Sequence, residues 1–395
     1  MSNVPAQVTD ALRQVIGPRR AVLHEPLFAG NEWRYVKETI DSSFVSSVGE
    51  FVDRFERDLE QSTGSPHVIV TGTGTAALHV ALLLGGVLPG DEVLVPTLTF
   101  VATANAIRYC GAIPHFIDVE ESTLGVSAVA LRAHLASIGR ATPGGLVNRL
   151  SGRPIRAVVP MHAFGHPIDL DGLVSVAQEF GLVIVEDAAE SLGSLYHGVH
   201  TGTFGTLGTL SFNGNKTITT GGGGAIMTAD PELARRAKHI TTTGKLPHAW
   251  EYRHDMVAFN YRLPNINAAL GCAQLEQLPG FVTAKRALTE AYATALGDID
   301  GVSLFREPAG CRSNYWLQTL VLESGGRAER DAILSATHAA GYHTRPSWDL
   351  LHTLPHFADS PRAGLSCAES LSARLVNLPS SPQLVHPHHA LDAAS

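Results

Sequence analysis

The sequence predicts an α/β protein: a large domain with a mixed, mostly parallel sheet, followed by a smaller C-terminal α+β domain. Two observations predict it. Short Val- and Ile-rich runs recur between segments of helical periodicity, which marks alternating strands and helices. That alternation gives way to a different pattern after about residue 280. A chain of 395 residues, 44% hydrophobic and 17% charged, is long enough to bury a core in each part.

The strand runs, in order, are HVIVT (67–71), EVLVP (92–96), PHFIDV (114–119), IRAVVP (155–160), LVIVED (182–187), TLSF (209–212) and AIMT (225–228). Phe51, Phe55 and Leu59 fall at i, i+4 and i+8, one stripe of an amphipathic helix. Helices are also expected at 74–85, 99–110, 170–179, 232–240 and 264–277. Beyond them come a helical pattern (281–297), a strand-like NYWLQTLVLE (314–323), a helix (327–340) and a loop-rich close. These place a large domain at 22–280 and a small C-terminal domain at 281–395.

Lys and Arg number 29 against 37 Asp and Glu, a net charge of −8 with no block of like charge. Neither a nucleic-acid groove nor attraction to an anionic membrane surface is expected from that balance. Cys110, Cys272, Cys311 and Cys367 are far apart and lack the paired spacings of metal or iron–sulfur sites, so they read as reduced core thiols. The first twenty residues have no apolar stretch after a basic start, and a cytoplasmic protein is expected. His386, His388 and His389 near the end lack a supporting carboxylate or thiol spacing, and no metal is expected there.

Several residues carry chemistry. Lys216, in SFNGNKTITTGGGGAI, lies between a strand end and the run Gly221 to Gly224. Four successive glycines are costly to order and are expected where the chain approaches a ligand closely or adopts positive φ. A lysine that works as a nucleophile must shed its proton, which burial beside other cationic groups favours. Asp187 ends LVIVED at the carboxyl end of a strand, where open α/β sheets bind ligands. It can cap the following helix or face a pyridinium nitrogen.

Gly74 and Thr75 begin a helix directly after a strand, so free N–H groups and the helix dipole can hold a phosphate. No Gly-Lys-Ser/Thr follows, and Ala77 stands where a dinucleotide fingerprint needs glycine, so one phosphate without magnesium fits better than ATP or NAD. Phe100 opens another helix after a strand and can pack in the core or lie on a planar cofactor.

Taken together, TGTAAL, TLTFVATANAI, VEDAAESLGS, SFNGNKTITTGGGGAI and FNYRLPNINAALGCAQLEQL, in that order, resemble the DegT/DnrJ/EryC1/StrS family of sugar aminotransferases, from about Pro26 to Pro382. Within the family, LHEPLFAGNEW, MHAFGHP, KHITTTGK and NLPSSP look most like the legionaminic-acid-pathway members. The resemblance implies the fold-type-I (aspartate aminotransferase-like) architecture, pyridoxal 5′-phosphate (PLP) as cofactor, and a homodimer with active sites at the interface. Lys216 matches the Schiff-base lysine, Asp187 the partner of the pyridine nitrogen and Phe100 the stacking ring. Gly74, Thr75 and Ser211 match phosphate-loop positions, and Asn260 the asparagine that reaches the phosphate from the other subunit. Glu190 matches the position that hydrogen-bonds the phenolic oxygen; many members carry glutamine there, so this glutamate is expected to hold a proton or to bond elsewhere.

The implied reaction moves an amino group from L-glutamate to a nucleotide-linked 4-keto-6-deoxy sugar bearing a 2-acetamido group. Asn31, Trp33, His254 and Arg345 are candidates for contact with that sugar nucleotide. In related PLP-dependent sugar dehydratases histidine replaces the lysine, or cysteines hold an iron–sulfur cluster; Lys216 and the scattered cysteines argue against that chemistry. A non-catalytic nucleotide-sugar-binding protein on the same fold has no need of Lys216, Asp187 and Phe100 together.

Overall fold

The computed structural model describes residues 4–385, so His386, His388 and His389 lie outside it. The seven strand runs form one sheet: β1 (His67–Thr71), β2 (Glu92–Pro96), β3 (Ile113–Ile117), β4 (Ile155–Val158), β5 (Val183–Asp187), β6 (Leu207–Ser211) and β7 (Gly224–Thr228). Their order is β1-β7-β6-β5-β4-β2-β3. Only β7 runs against its neighbours, β1 and β6; the pairs from β6 to β3 are parallel. All the strands except β7 therefore end at the same edge.

Alternation along each strand divides its side chains between two layers. Val93 and Val95 of β2 join the core under α4 (Gly74–Leu84), α5 (Val101–Tyr109) and α8 (Pro231–Thr241). Leu94, between them, joins the core under α6 (Ala128–Ile138) and α7 (Leu170–Phe180). The β1, β6 and β7 end packs on α3 (Glu50–Thr63), whose Phe51, Phe55 and Leu59 are all buried.

A separate core surrounds an antiparallel sheet of β8 (Val302–Leu304), β9 (Gln318–Leu322), β10 (Arg345–Pro346) and β11 (Leu375–Leu378), in the order β8-β9-β11-β10. Packed on it are α10 (Arg327–Ala339) and α1 (Val4–Ile16), an unanticipated helix whose Val8, Leu12 and Ile16 nevertheless form an i, i+4, i+8 stripe. Helix α2 (Glu32–Asp41) and α6 were likewise not anticipated.

The two helices expected at 264–277 and 281–297 are one helix, α9 (Asn265–Leu296), running through Pro279. Proline inside a helix costs about 3 kcal/mol. Leu275, Leu278, Phe281 and Val282 are buried around it, and burying each such side chain contributes about 1.5–3 kcal/mol. Burial outweighs the breaker. Further along, Leu288, Tyr292 and Leu296 of the same helix enter the second core, so α9 belongs to both.

Cys110 and Cys272 are buried as expected, whereas Cys311 and Cys367 are only half-buried; all four are free. No helix among the described residues is long and apolar enough to cross a membrane.

Gly224 sits level with Thr71 of β1 and Ser211 of β6. A Cβ there would lie 2.6 Å from the main chain of Thr73 and Gly74. Main-chain atoms cannot rotate away. Gly224→Ala is therefore expected to cost about 1–3 kcal/mol through overpacking, read as a lower thermal midpoint. A variant as stable as the parent would remove this contact from the account.

Candidate active site

The strand ends and the first turns of α4 and α5 enclose a cavity of about 310 Å³, within the usual range for small-molecule sites. Gly74, Thr75, Phe100, Asp187, Glu190, Ser211 and Lys216 all line it. Topology explains the convergence: α4 begins after β1, α5 after β2, Asp187 ends β5 and Ser211 ends β6.

Asp187 is 3% exposed. Its Oδ2 accepts from Thr103 Oγ1 at 2.7 Å, and its Oδ1 accepts from the Ala189 N–H at 3.2 Å. Burial nevertheless raises its carboxyl above the usual range, against those hydrogen bonds and the charge of Lys216. A cationic N–H brought to this carboxylate would be strongly paired.

Helix α4 starts with Thr73 as its cap, its hydroxyl accepting from the Ala76 N–H at 3.0 Å. The N–H groups of Gly74 and Thr75 lie in the first turn, where no intrahelical acceptor exists. A Cβ on Gly74 would come within 2.8 Å of Ser211 Cβ, so only glycine leaves this cradle open. Phe100 is 48% exposed against the cavity and does not enter the core. A phosphate cradle, a buried acid, an exposed ring and an amine form a donor set that fits PLP.

Lys216 Nζ donates to Glu190 Oε1 at 3.1 Å and lies 4.1 Å from the centre of the Trp316 ring. Its partner is thus a carboxylate, not the cationic neighbour anticipated. Glu190 is 2% exposed, and its Oε2 accepts from the Phe164 N–H at 2.9 Å. Phe164 has φ +58°, an unusual conformation for a bulky residue, and its ring stacks on Trp348 at 4.8 Å. Burial pushes the Glu190 carboxyl up to about 7, although Lys216 and the Phe164 amide pull the other way.

The glycine run has mixed duties. Gly222 and Gly223 line the cavity, Gly221 has φ +79°, and Gly224 makes the close approach described above.

Five anticipated residues are not in this cavity. Asn31 donates to Glu276 Oε2 at 2.7 Å, and Trp33 is 80% exposed. His254 pairs with the Thr243 carbonyl at 2.9 Å. Asn260 is exposed, its Oδ1 accepting from Arg262 Nε at 3.2 Å. Arg345 lines a second, adjoining pocket. Sequence reasoning missed Thr103, Met161, Trp316 and Trp348, which line the cavity or hold its acid. Thr103 carried a signal, being in the first turn of a helix that starts at a strand end; the tryptophans, from remote loops, carried none.

The model of the DegT/DnrJ/EryC1/StrS aminotransferase family matches residues 28–390. The chain is 38% identical over 339 residues to the putative pyridoxal phosphate-dependent aminotransferase EpsN of Bacillus subtilis, covering 86% of this chain and 84% of that one. It is 35% identical over 365 residues to GDP-perosamine synthase of Vibrio cholerae, covering 92% and 94%. The crystal structure of the aminotransferase TlmJ from Streptoalloteichus hindustanus superposes with a TM-score of 0.81 at 30% identity, covering 91% of this chain and 93% of that one.

The folded chain holds the Glu190 proton up to about pH 7, whereas an unperturbed glutamate releases it near 4.5. Glu190 therefore lowers stability progressively as the pH rises through that interval. In cofactor-free protein, the thermal midpoint of Glu190→Gln relative to the parent is expected to climb between those two pH values and then level off. A flat difference would show that Glu190 does not titrate there.

Proposed function

The chain belongs to the DegT/DnrJ/EryC1/StrS aminotransferase family, and from that premise we propose that it transfers an amino group from L-glutamate to C4 of a nucleotide-linked 4-keto-6-deoxy sugar. The coarser statement, a PLP-dependent nucleotide-sugar aminotransferase, follows from the family and its named relatives. The Vibrio relative's name specifies a GDP-linked sugar. The UDP-linked 2-acetamido sugar of the legionaminic-acid pathway is therefore one arm of the test and not its premise.

The observation that carries the reading is the amine of Lys216, held 3.1 Å from Glu190 in the same cavity as buried Asp187 and the open first turn of α4. PLP, when bound, supplies a carbonyl that condenses with amines and a ring that delocalises negative charge. Gly74, Thr75 and Ser211 would hold its phosphate and Asp187 its ring nitrogen, with Phe100 against the ring. Lys216 Nζ would take the proton from the donor's α-carbon and return one to the sugar carbon in the second half of the cycle. Glu190 Oε1 keeps the charged form of that amine paired in the interval between. Met161, Trp316 and Trp348 also line the cavity and give it apolar wall.

The proposal includes a homodimer. Asn260 is exposed and lies outside its own chain's cavity, so it is free to serve a second copy. Trp33, Trp250, Tyr252 and Val257 are also exposed.

Protein loaded with PLP should lose its visible absorption on addition of L-glutamate and regain it with one member of a panel of UDP- and GDP-linked keto sugars. Lys216→Ala is expected to lose the lysine-dependent band and at least roughly 10²–10⁴-fold of turnover; undiminished transamination in that variant would sink the assignment. Lys216→Ala and Asn260→Ala, each impaired alone, should recover up to about one quarter of parental activity when mixed and reassembled, because half of the dimers are mixed and each mixed dimer keeps one intact site. No recovery would mean that Asn260 does not act across subunits.

A further inference from the structure

Beside the main cavity lies a pocket of about 220 Å³ that shares Asn215 and Trp316 with it and is otherwise bordered by His24, His343, Arg345 and apolar residues. His24 is 9% exposed, and neither ring nitrogen has a hydrogen-bond partner among the described residues. An unpartnered buried imidazole costs free energy comparable to a lost hydrogen bond. Arg345 forms no hydrogen bond or ion pair through its guanidinium among the described residues. His343 accepts from Arg20 Nε at 3.1 Å, which brings a second guanidinium to the same edge. None of the bordering residues is acidic. The pocket thus offers unused donors and uncompensated positive charge, a setting for an oxyanion.

We propose that this pocket is the subsite for the side-chain carboxylate of the amino donor, received by Arg345 and His24. The inference rests on the aminotransferase reading above. The donor's α-carboxylate is bonded to the reacting carbon and must stay near Lys216. The two spaces adjoin at Asn215 and Trp316, so the carboxylate received here would be the distal one, at the end of a short aliphatic chain. Burial, reinforced by the charges of Lys285 and Lys216, holds His24 neutral well below the ordinary histidine range. His24 therefore contributes an N–H, and Arg345 contributes the charge. A planar guanidinium can meet a carboxylate with two parallel hydrogen bonds, which distinguishes a dicarboxylic amino acid from one with an alkyl side chain.

The test compares PLP-loaded parent, Arg345→Gln and Arg345→Lys in two measurements. The first is single-turnover reaction with L-glutamate and with L-alanine, which lacks the distal carboxylate. The second is calorimetric binding of glutarate, a dicarboxylate without an amine, beside UDP and GDP. Arg345→Gln should raise the half-saturating L-glutamate concentration and the glutarate dissociation constant by roughly 10–100-fold, leave the L-alanine reaction unchanged and leave UDP and GDP binding unchanged. Arg345→Lys, with charge but no fork, should fall between. An unaltered glutamate-to-alanine preference, unaltered glutarate affinity, or a loss confined to UDP or GDP overturns the subsite, while a parent active with L-glutamate leaves the aminotransferase reading standing. A parent inert to L-glutamate overturns both.

Discussion

The site depends on one steric constraint: the main chain of Thr73 and Gly74 presses against Gly224 more closely than any side chain permits. That contact fixes where α4 begins relative to the sheet. Thr71, Gly224 and Ser211 lie level across three adjacent strands, so the turn into α4 opens directly over the end of β6. The same strand end leads into the loop that carries Lys216. An anion cradle and a reactive amine are thereby set at a fixed separation by main chain, the least adjustable part of a protein.

The end of β5 shows how alternation separates structure from chemistry. Glu186 and Asp187 are consecutive and therefore point to opposite faces. Glu186 is fully buried and accepts from the N–H groups of Gly202, Phe204 and Gly205, each at 2.7 Å, with His162 Nε2 at 3.1 Å. Its lone pairs are used, and its task is to tie the loop before β6 to the sheet. Asp187 receives a hydroxyl and one amide, keeps accepting capacity and faces the cavity. Two adjacent carboxylates differ in use because their hydrogen bonds differ.

What could be read from the sequence follows the range over which each signal acts. The strands were legible because a buried parallel strand is a continuous apolar run, and the cofactor residues because each sits at a strand end or a helix start, a local feature. Helix α9 was misread because Pro279 is a local signal and the burial that overrides it is not. Trp316 and Trp348 were invisible for the same reason: nothing near them in the chain foretells that they border Lys216. Asn31, Trp33 and His254 were singled out by resemblance, and the single chain gives them surface partners or none. Gly224 was noticed for conformational freedom, whereas its necessity is space.

The second core reaches back into the site through buried polar contacts. Lys285, fully buried on α9, donates to the carbonyls of Tyr315, Trp316 and Ser380 and to Ser380 Oγ. Burial pulls its pKa below that of an exposed lysine, and these acceptors satisfy its N–H donors. One residue before Tyr315, Asn314 Nδ2 donates to the carbonyls of Glu190 and Leu192, both at 2.9 Å. The segment from Asn314 to Trp316 is thus pinned from one side by α9 and from the other by the loop that carries Glu190. Because α9 belongs to both cores, displacing one against the other would strain these bonds before it opened the cavity.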